Sequence, residues 1–523
     1  MRGGMIVATN ISKEYGATVV LDGLSLTVPP GARIGVVGPN GSGKSTLLRI
    51  LAGVDEPSAG RVERFGTAGY LPQEPERRPR ETLLGYLARR TGITNAEAEM
   101  NAGGEGYHDA LEQFLALGGA DLERKARKVC VELDVRLPLV QELPTLSGGE
   151  AARVSLAALV LARFDALCLD EPTNDLDFDG LERLERFVQG YNGSIVLVSH
   201  DRAFLDRTVT RILAFDEERR GAHEFVGTYD EYAAERASAL ERQQAAYTDY
   251  VEERDRFSSL LSTRRTQARA GAGLGEKSGG ADRRGTHALR SKVRQAKQRL
   301  EHLEEVEKPW RQWRLALTLE PRSRSGDLAA RLAGAVVRRG EFRLGPIDLD
   351  VFWGDRVAIV GRNGVGKTTL LSALVGELPL AKGTRTLGAG VVIGGLDQKR
   401  ELFAGAEPLL DRFRAESGLP PSETRTLLAK FGIRGDDALR AAHSLSPGER
   451  SRATLALLQA RGVNCLILDE PTNHLDLPAI EQLEAALETY EGTLLLVTHD
   501  RRMLEAVHTN RHLHVVDGVV TDR

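Results

Sequence analysis

Asp170-Glu171-Pro172-Thr173-Asn174-Asp175-Leu176-Asp177 follows a short apolar segment of the chain, and the same pattern returns as Asp469-Glu470-Pro471-Thr472-Asn473-His474-Leu475-Asp476. Each apolar segment has the length and composition of a buried strand. Two adjacent carboxylates at the end of a strand suit assisted hydrolysis, because one can support a metal ion while the other orients a water molecule. The repeat therefore predicts two chemical sites in one polypeptide.

A glycine-rich loop lies upstream of each acidic motif: Gly38-Pro39-Asn40-Gly41-Ser42-Gly43-Lys44-Ser45 and Gly361-Arg362-Asn363-Gly364-Val365-Gly366-Lys367-Thr368. Glycines allow backbone N–H groups to curl around phosphates at the start of a helix, the lysine reaches the terminal phosphates, and the hydroxyl coordinates Mg²⁺. Two such loops, each between a strand pattern and a helix pattern, predict two ATP sites. The loop residues predicted to bind ATP are Gly38, Asn40, Gly41, Gly43, Lys44, Ser45, Thr46, Gly361, Asn363, Gly364, Gly366, Lys367, Thr368 and Thr369.

The two halves of the chain repeat the same order of motifs. The lysines of the two loops are 323 positions apart, whereas the first aspartates of the two acidic motifs are 299 apart. The 24-residue difference indicates an insertion in the first half, which we place near 85–135. Repeated motifs at shared spacing indicate duplication, and strands alternating with helices predict an α/β fold with a largely parallel sheet in each half. We expect domains at 1–228 and 319–523, with a linker at 229–318.

Bulk composition limits the class of protein. A chain of 523 residues is too long for one core, and its 41% hydrophobic and 28% charged residues are typical of soluble proteins. Its 3 cysteines are too few for a disulfide framework, which favours a cytoplasmic location. No apolar run approaches the roughly 18 residues that span a bilayer, so the chain is not a transport channel by itself.

The middle of the chain differs from both halves. Residues 264–314 hold 14 Lys and Arg against 6 Asp and Glu, although the whole chain has a net charge of −4. Apolar residues at helical spacing on both sides of the glycine-rich segment 270–280 predict an antiparallel helical hairpin. A basic hairpin on an acidic body suggests a polyanionic partner; a solvated linker is the plainer interpretation of the composition alone.

The residues around each acidic motif suggest roles in hydrolysis. Asp170 and Asp469 are expected to support Mg²⁺, together with the loop hydroxyls of Ser45 and Thr368. Glu171 and Glu470 are expected to polarise the attacking water. His200 and His499, each in a Ser/Thr-His-Asp triplet after an apolar strand, can contact the terminal phosphate. Gln73 and Gln398, each after a strand, are softer candidates for ATP and Mg²⁺ contacts.

Leu146-Ser147-Gly148-Gly149-Glu150 and Leu445-Ser446-Pro447-Gly448-Glu449 precede helix patterns. Serine and glycine at the start of a helix form a surface that binds anions. Taken alone, either segment is equally well explained as an N-cap with a capping box.

Taken together, these motifs resemble the ATPase cassette of ABC proteins, with Walker A, Q-loop, signature, Walker B, D-loop and H-loop in that order. The resemblance covers roughly residues 5–225 and 330–520. It implies two cassettes that clamp face to face around two ATP molecules. ATP on Lys44 would be capped by Ser446 and Gly448, and ATP on Lys367 would be capped by Ser147 and Gly149.

Two positions, Pro447 and Arg338, depart from the cassette pattern. Pro447 replaces a signature glycine, which removes one N–H group and fixes φ. Tyr15 lies where cassettes commonly stack adenine, 23 residues before Gly38. The same offset from Gly361 predicts Arg338 as its counterpart.

Within the ABC proteins, the chain resembles the ABC-F family. Tandem cassettes without membrane spans, the Asn-Asp-Leu-Asp and Asn-His-Leu-Asp tails and the helical linker carry this likeness. It implies a monomer that binds the ribosome near the tRNA exit site and contacts large-subunit rRNA and tRNA through its linker and its arm, the insertion near 85–135. The linker would act on the peptidyl-transferase centre, in ribosome protection against antibiotics or in translation regulation.

Two other classes of function compete with this interpretation. The chain could be the ATPase subunit of a drug-efflux ABC transporter that works with a separate membrane protein, although a basic hairpin would then have no obvious role. A DNA-repair ATPase is the third class, but it usually carries clusters of metal-binding cysteines, which this chain lacks.

Overall fold

The computed structural model describes residues 4–73, 76–103, 106–215, 221–272, 324–396, 401–403, 405–445, 447–473 and 475–522. The chain forms two compact units. One holds both cassettes, as Met1–Tyr229 with Trp313–Arg523, and the other is Asp230–Gln312.

The first cassette combines a small antiparallel sheet with a larger, mainly parallel one. Its strands are β1 (Met5–Tyr15), β2 (Thr18–Val28), β3 (Arg33–Val37), β4 (Ala59–Phe65), β5 (Ala68–Leu71), β6 (Ala166–Asp170), β7 (Ser194–Val198), β8 (Arg211–Phe215) and β9 (Ala222–Val226). The small sheet has the order β2-β1-β4, and the large sheet has the order β5-β6-β7-β3-β8-β9. Only the edge strand β9 runs antiparallel to its neighbour in the large sheet.

Helices cover these sheets and connect their strands. They are α1 (Lys44–Ala52), α2 (Leu83–Arg90), α3 (Ile93–Ala102), α4 (Tyr107–Leu117), α5 (Leu122–Glu132), α6 (Gly148–Ala162), α7 (Phe178–Gly190) and α8 (Arg202–Thr208), with short 3₁₀ turns at Gly119–Asp121 and Leu143–Thr145. Strands β6 and β7 are buried along their whole length. Such continuous apolar strands are typical of parallel sheets that are covered on both faces.

The second cassette repeats this topology. Its strands are β10 (Leu328–Arg339), β11 (Phe342–Phe352), β12 (Arg356–Val360), β13 (Lys382–Leu387), β14 (Ile393–Leu396), β15 (Cys465–Asp469), β16 (Thr493–Val497), β17 (Arg511–Val516) and β18 (Val519–Asp522). The sheet orders are β11-β10-β13 and β14-β15-β16-β12-β17-β18. Strand for strand, these orders match those of the first cassette, as duplication requires.

The helices of the second cassette follow the same plan with one difference. They are α10 (Lys367–Val375), α11 (Leu409–Ser417), α12 (Pro421–Lys430), α13 (Pro447–Arg461), α14 (Leu477–Glu488) and α15 (Arg501–Ala506), with 3₁₀ turns at Glu401–Phe403, Gly435–Leu439 and Ala442–Ser444. A three-residue connection joins α11 to α12, whereas α3 and α4 stand between their counterparts α2 and α5. The extra residues of the first half are therefore this helix pair, a narrower segment than 85–135.

The parallel sheets position the chemistry. Strands β3, β6 and β7 are neighbours in one sheet and run in the same direction. Their carboxyl ends, which carry the glycine-rich loop, the acidic pair and His200, therefore meet at one edge. Strands β12, β15 and β16 bring the second set together in the same way.

One long helix, α9 (Tyr229–Ala272), has 44 residues and lies in the second unit apart from its first residue. It continues through 270–272, which we expected to open the glycine-rich tip. The rest of the predicted hairpin, residues 273–318, lies outside the described residues, so the hairpin remains a prediction. Among the residues that the structure describes, no helix is long and apolar enough to cross a membrane.

Candidate functional site

The first glycine-rich loop connects β3 to α1 and adopts a conformation that requires glycine. Gly43 has φ 97°, and a Cβ there would lie 2.9 Å from side-chain atoms of Val20 and Leu21. The Lys44 ammonium donates hydrogen bonds to the carbonyls of Gly38 (2.9 Å) and Pro39 (2.7 Å). The loop thus curls around the lysine that begins α1, as a phosphate-binding loop does. We call this region site 1.

The second loop has the same geometry around Lys367, and we call this region site 2. The Lys367 ammonium donates to the carbonyls of Gly361 (2.7 Å) and Arg362 (3.2 Å). It also lies 2.9 Å from Nε2 of His499. Burial and the charge of Lys367 lower the pKa of His499 to about 3. The imidazole is therefore neutral and accepts from the ammonium.

The two glutamates of the acidic motifs share an uncommon backbone conformation. Glu171 and Glu470 both have φ 48°, a left-handed value that few non-glycine residues adopt. Burial raises the pKa of each to about 8. Each carboxylate accepts a hydrogen bond from the backbone N–H of the histidine after the next strand, at 3.3 Å for His200 and 3.4 Å for His499. The predicted catalytic residues of each site therefore lie together.

The residues proposed for Mg²⁺ have the donor chemistry that this ion prefers. Ser45 hydrogen-bonds Asp170, and the Thr368 hydroxyl donates to Asp469 at 2.6 Å. Asp170 Oδ1 is buried and has no hydrogen-bond partner among the described residues. Hydroxyl and carboxylate oxygens suit Mg²⁺. The part of the chain that the structure describes has no cluster of three or more His, Cys, Asp or Glu that could hold a metal ion.

Tyr70 is a site residue that sequence reasoning missed. Its hydroxyl donates to Asp170 Oδ2 at 3.0 Å from the neighbouring strand β5. The corresponding position on β14 is Gly395, where a Cβ would lie 2.8 Å from the Ile467 carbonyl. In the sequence, only the aromatic residue after Gly69 could have drawn attention to this position. The pairing of β5 with β6 is what places Tyr70 next to the acidic motif.

The signature segment of the first cassette forms the capping box, and its predicted contact with ATP stays a prediction. Ser147 caps α6 in a capping box with Glu150. It also borders a cavity of about 690 Å³ together with Gly149 and with Lys367 and Thr368 of the other cassette. A Cβ on Gly149 would lie 2.7 Å from the Asp175 carbonyl and 3.3 Å from the Asn363 amide. Glycine is needed there because the Asp175 backbone of the same cassette leaves no room for a side chain, and Asn363 of the other cassette lies close by.

The last aspartate of each acidic motif joins the two cassettes. Asp177 Oδ1 accepts from Gly180 N as the N-cap of α7, while Oδ2 accepts from Asn363 N at 3.1 Å. Asp476 Oδ1 caps α14 in the same way, and its Oδ2 accepts from Asn40 N at 3.3 Å. The Leu-Asp tail therefore ends the catalytic segment of one site and contacts the phosphate loop of the other.

Two ion pairs related by the repeat also cross between cassettes. Arg202, two residues after His200, pairs with Glu484 on α14. Arg501, two residues after His499, pairs with Glu185 on α7 at 2.8 Å. Sequence reasoning did not single out these four residues, because nothing local links positions that are 282 and 316 residues apart.

The positions predicted to stack the adenine base differ between the two sites. Tyr15 ends β1, is 48% exposed, and its hydroxyl lies 3.2 Å from Asp55. In the hairpin of the second cassette the equivalent position is Arg339, since Tyr15 pairs with Thr18 and Arg339 pairs with Phe342. Arg338 was therefore one residue off. Arg339 and Phe342 both border the cavity of site 2.

For the remaining predicted residues that lie in the described part of the chain, the structure gives an element or a cavity but no specific contact. Thr46 lies in the first turn of α1, Thr369 borders the cavity of site 2, and Gly448 lies in the first turn of α13. Gln73 borders a neighbouring cavity that Glu171 also lines. Gln398 and Ser446 lie outside the described residues. The caps proposed for ATP on Lys44 therefore remain a prediction.

Comparison with known proteins agrees with this geometry. The family model described as ABC transporter matches residues 21–174 and 344–473. The chain is 36% identical to the tylosin resistance ATP-binding protein TlrC of Streptomyces fradiae, over 98% of this chain and 97% of that protein. It is 32% identical to the energy-dependent translational throttle protein EttA of Mycobacterium tuberculosis (96% and 89%). It is also 32% identical to the ABC transporter F family member 5 of Arabidopsis thaliana (98% and 75%).

Proposed function

Because the chain belongs to the ABC-F family of tandem-cassette ATPases, we propose that it uses ATP to act on the ribosome in the cytoplasm. In this proposal, ATP binding closes the two cassettes and permits ribosome binding near the tRNA exit site. The basic linker then reaches the peptidyl-transferase centre, and hydrolysis releases the protein. The outcome is protection of the ribosome from an antibiotic or regulation of translation.

The residues of the chain supply the steps of ATP hydrolysis. Lys44 and Lys367 bind the terminal phosphates within their loops. Glu171 and Glu470, held by the N–H groups of the histidines, orient the attacking water and accept its proton, for which their raised pKa values suit them. Mg²⁺ on the Ser45–Asp170 and Thr368–Asp469 pairs would neutralise developing phosphate charge.

The first cassette also contributes to site 2 across the interface. Ser147 and Gly149 at the start of α6 face the same cavity as Lys367. The N-terminus of this helix presents backbone N–H groups and partial positive charge, which favour a triphosphate. Site 2 therefore needs both cassettes, and we propose that ATP is what holds them together there.

One observation carries the ribosomal part of the proposal. The similarity to a tylosin resistance protein and to a translational throttle protein extends over 98% and 96% of this chain, so it includes the segment between the cassettes. That segment has the excess of 14 basic over 6 acidic residues between 264 and 314. Such a charge suits rRNA and tRNA phosphates, whose contacts weaken as salt rises.

The first test is co-sedimentation with ribosomes. A variant with Glu171→Gln and Glu470→Gln should bind ATP without hydrolysing it and should pellet with ribosomes when ATP is present. The matched control adds Lys44→Ala and Lys367→Ala, which remove phosphate binding, and should stay in the supernatant. A glutamine variant that retains bound ATP but sediments free of ribosomes refutes the ribosomal role.

The second test separates protection from regulation. Translation in vitro is measured with tylosin and with unrelated ribosomal antibiotics, with and without the protein. Protection predicts that the wild-type chain restores synthesis in the presence of a drug, whereas regulation predicts an effect without any drug. Deleting 264–290 should abolish either effect while ATP hydrolysis continues; an unchanged effect would exclude the linker as the acting element.

A further inference from the structure

Arg362, the second residue of the phosphate loop at site 2, crosses to the first cassette. Its Nη2 forms an ion pair with Oδ2 of Asp134, and its Nε lies 3.5 Å from Oδ2 of Asp179. Asp134 follows the end of α5, the helix to which the inserted pair α3 and α4 leads. The loop that would hold phosphate at site 2 is therefore attached to the part of the first cassette that carries the insertion.

Asp134 occupies a position where the repeat has glycine. Val135 N donates to Cys130 O and Asp134 N donates to Val131 O, and in the second cassette Ile433 N donates to Leu428 O and Gly432 N to Ala429 O. Both helices thus end in the same Schellman-type motif, whose left-handed residue is usually glycine. Asp134 has φ 55° and Gly432 has φ 78°. A side chain at this position therefore adds backbone strain in the first cassette that the glycine of the second cassette avoids.

The Asp134 carboxylate is 12% exposed and is surrounded by arginines. Arg136 Nε donates to its Oδ1 at 2.7 Å, and Arg183 lies 4.0 Å from its Oδ2. Burial by itself would raise the pKa of Asp134, but hydrogen bonds from Arg136 and Arg362 lower this pKa below its ordinary value. A charged, nearly buried acceptor in a left-handed conformation is a feature that packing alone does not require.

The partner of Asp134 is equally specific to one site. Lys44 donates to the Pro39 carbonyl and Lys367 donates to the Arg362 carbonyl, which makes Pro39 the counterpart of Arg362. Proline has no charge and no N–H group. Site 1 therefore has proline and glycine at the two positions where site 2 has arginine and aspartate, and its loop cannot form this ion pair.

Asn363, next to Arg362, strengthens the attachment. Its side-chain amide donates to the Asp175 carbonyl at 2.6 Å, and its backbone N–H donates to Asp177 at 3.1 Å. Two adjacent residues of the loop therefore contact four acidic residues of the first cassette, namely Asp134, Asp175, Asp177 and Asp179. Because these residues form the wall of the phosphate site, separating the cassettes at site 2 requires that these contacts break.

We infer that Arg362 and Asp134 are positioning residues that hold site 2 closed, so that nucleotide leaves site 2 more slowly than site 1. The pair also ties nucleotide release at site 2 to the position of α5 and its inserted helices. This inference rests on ATP binding by the two cassettes and not on a ribosomal role.

The test measures release of a fluorescent N-methylanthraniloyl ATP from the chain carrying Glu171→Gln and Glu470→Gln, after mixing with excess ATP and without ribosomes. Two release phases are expected, and Lys44→Ala should remove the fast one, which assigns the slow phase to site 2. Arg362→Ala should speed the slow phase by about threefold, because an ion pair with one half-exposed partner contributes modestly. The fast phase should stay unchanged.

Asp134→Gly, which copies the second cassette, should have the same effect, and the double variant should be no faster than either single one. Asp134→Asn removes the negative charge but keeps a side chain that tolerates the left-handed conformation. Arg136→Ala is the control, since it removes a partner of Asp134 that lies within the first cassette. Equal effects on both phases, additive effects, or an unchanged slow phase would overturn the inference, and none of these depends on whether the protein binds ribosomes.

Discussion

The two ion pairs formed by Arg202 and Arg501 differ in burial and in whether the glutamate has a second arginine partner. Arg202 and Glu484 have side chains only 9% and 10% exposed, and among the described residues Glu484 forms no other ion pair. Glu185, the partner of Arg501, keeps Arg207 at 3.3 Å if Arg501 is removed. We therefore predict that Arg202→Ala destabilises the chain more than Arg501→Ala does, although the repeat makes the two positions equivalent.

The magnitudes follow from burial. Removing one partner of a buried pair leaves an unpaired charge and costs about 3 kcal/mol. Removing Arg501 leaves Glu185 paired, so the loss resembles that of a surface pair and is about 1 kcal/mol or less. Burial already raises the pKa of Glu484. Without Arg202, Glu484 can escape the penalty by taking up a proton, so the loss should be smaller at pH 5 than at pH 8.

Urea titration of the full chain, followed by fluorescence, measures the difference in apparent free energy of unfolding for each variant. Arg202→Met combined with Glu484→Leu should come close to the parent, because neither charge is then buried and the shape is retained. The reasoning is refuted if Arg202→Ala costs no more than Arg501→Ala, or if the apolar double variant loses as much as the two single ones combined.

Three further changes test individual contacts. Tyr70→Phe should slow single-turnover hydrolysis severalfold when only site 1 retains its glutamate, and should have no effect when only site 2 does. Asp201→Asn should raise the unfolding midpoint at pH 7.5, because burial raises the pKa of Asp201 to about 6 and an ionised carboxylate is unfavourable there, whereas asparagine also caps a helix. The stability gained by the variant over the parent should grow as pH rises from 4 to 6, and calorimetry at several pH values measures this difference. Gly43→Ala should reduce bound nucleotide from two to one per chain by equilibrium dialysis, whereas Gly41→Ala, which meets nothing within 4 Å, should weaken binding less.

Local sequence carries the parts of the fold that depend on neighbouring residues. The glycines of the loops, the buried strands before each acidic pair and the serine that caps α6 all act over a few positions, so the motifs and their order predict both cassettes. Arg339 shows that a fixed residue offset does not identify equivalent positions when the connecting loops differ in length. The connection from β2 to β3 has four residues and the connection from β11 to β12 has three, so an offset of 23 residues selects Arg338 instead.

The side-chain pairs that cross the interface were beyond sequence reasoning, although the resemblance predicted Ser147 and Gly149 near Lys367. Asp134 and Arg362 are 228 positions apart, and neither belongs to a motif that marks it as a partner. Once the repeat is aligned, however, each stands out as a departure: an aspartate where its counterpart is glycine, and an arginine where its counterpart is proline. Differences between the halves of a duplicated chain are therefore a signal for contacts that only one site makes.

The geometry also connects the two sites through the tails of the acidic motifs. Glu171 belongs to site 1, but Asp177, six residues later, caps α7 and holds Asn363 of site 2. Helix α7 carries Glu185, which binds Arg501 beside His499.

A displacement of the first acidic motif on hydrolysis would thus reach site 2 at both its phosphate loop and its histidine. Asp476 and Glu484 connect site 2 to site 1 in the same manner. The tail of each acidic motif is therefore the element that connects the geometry of one site to that of the other.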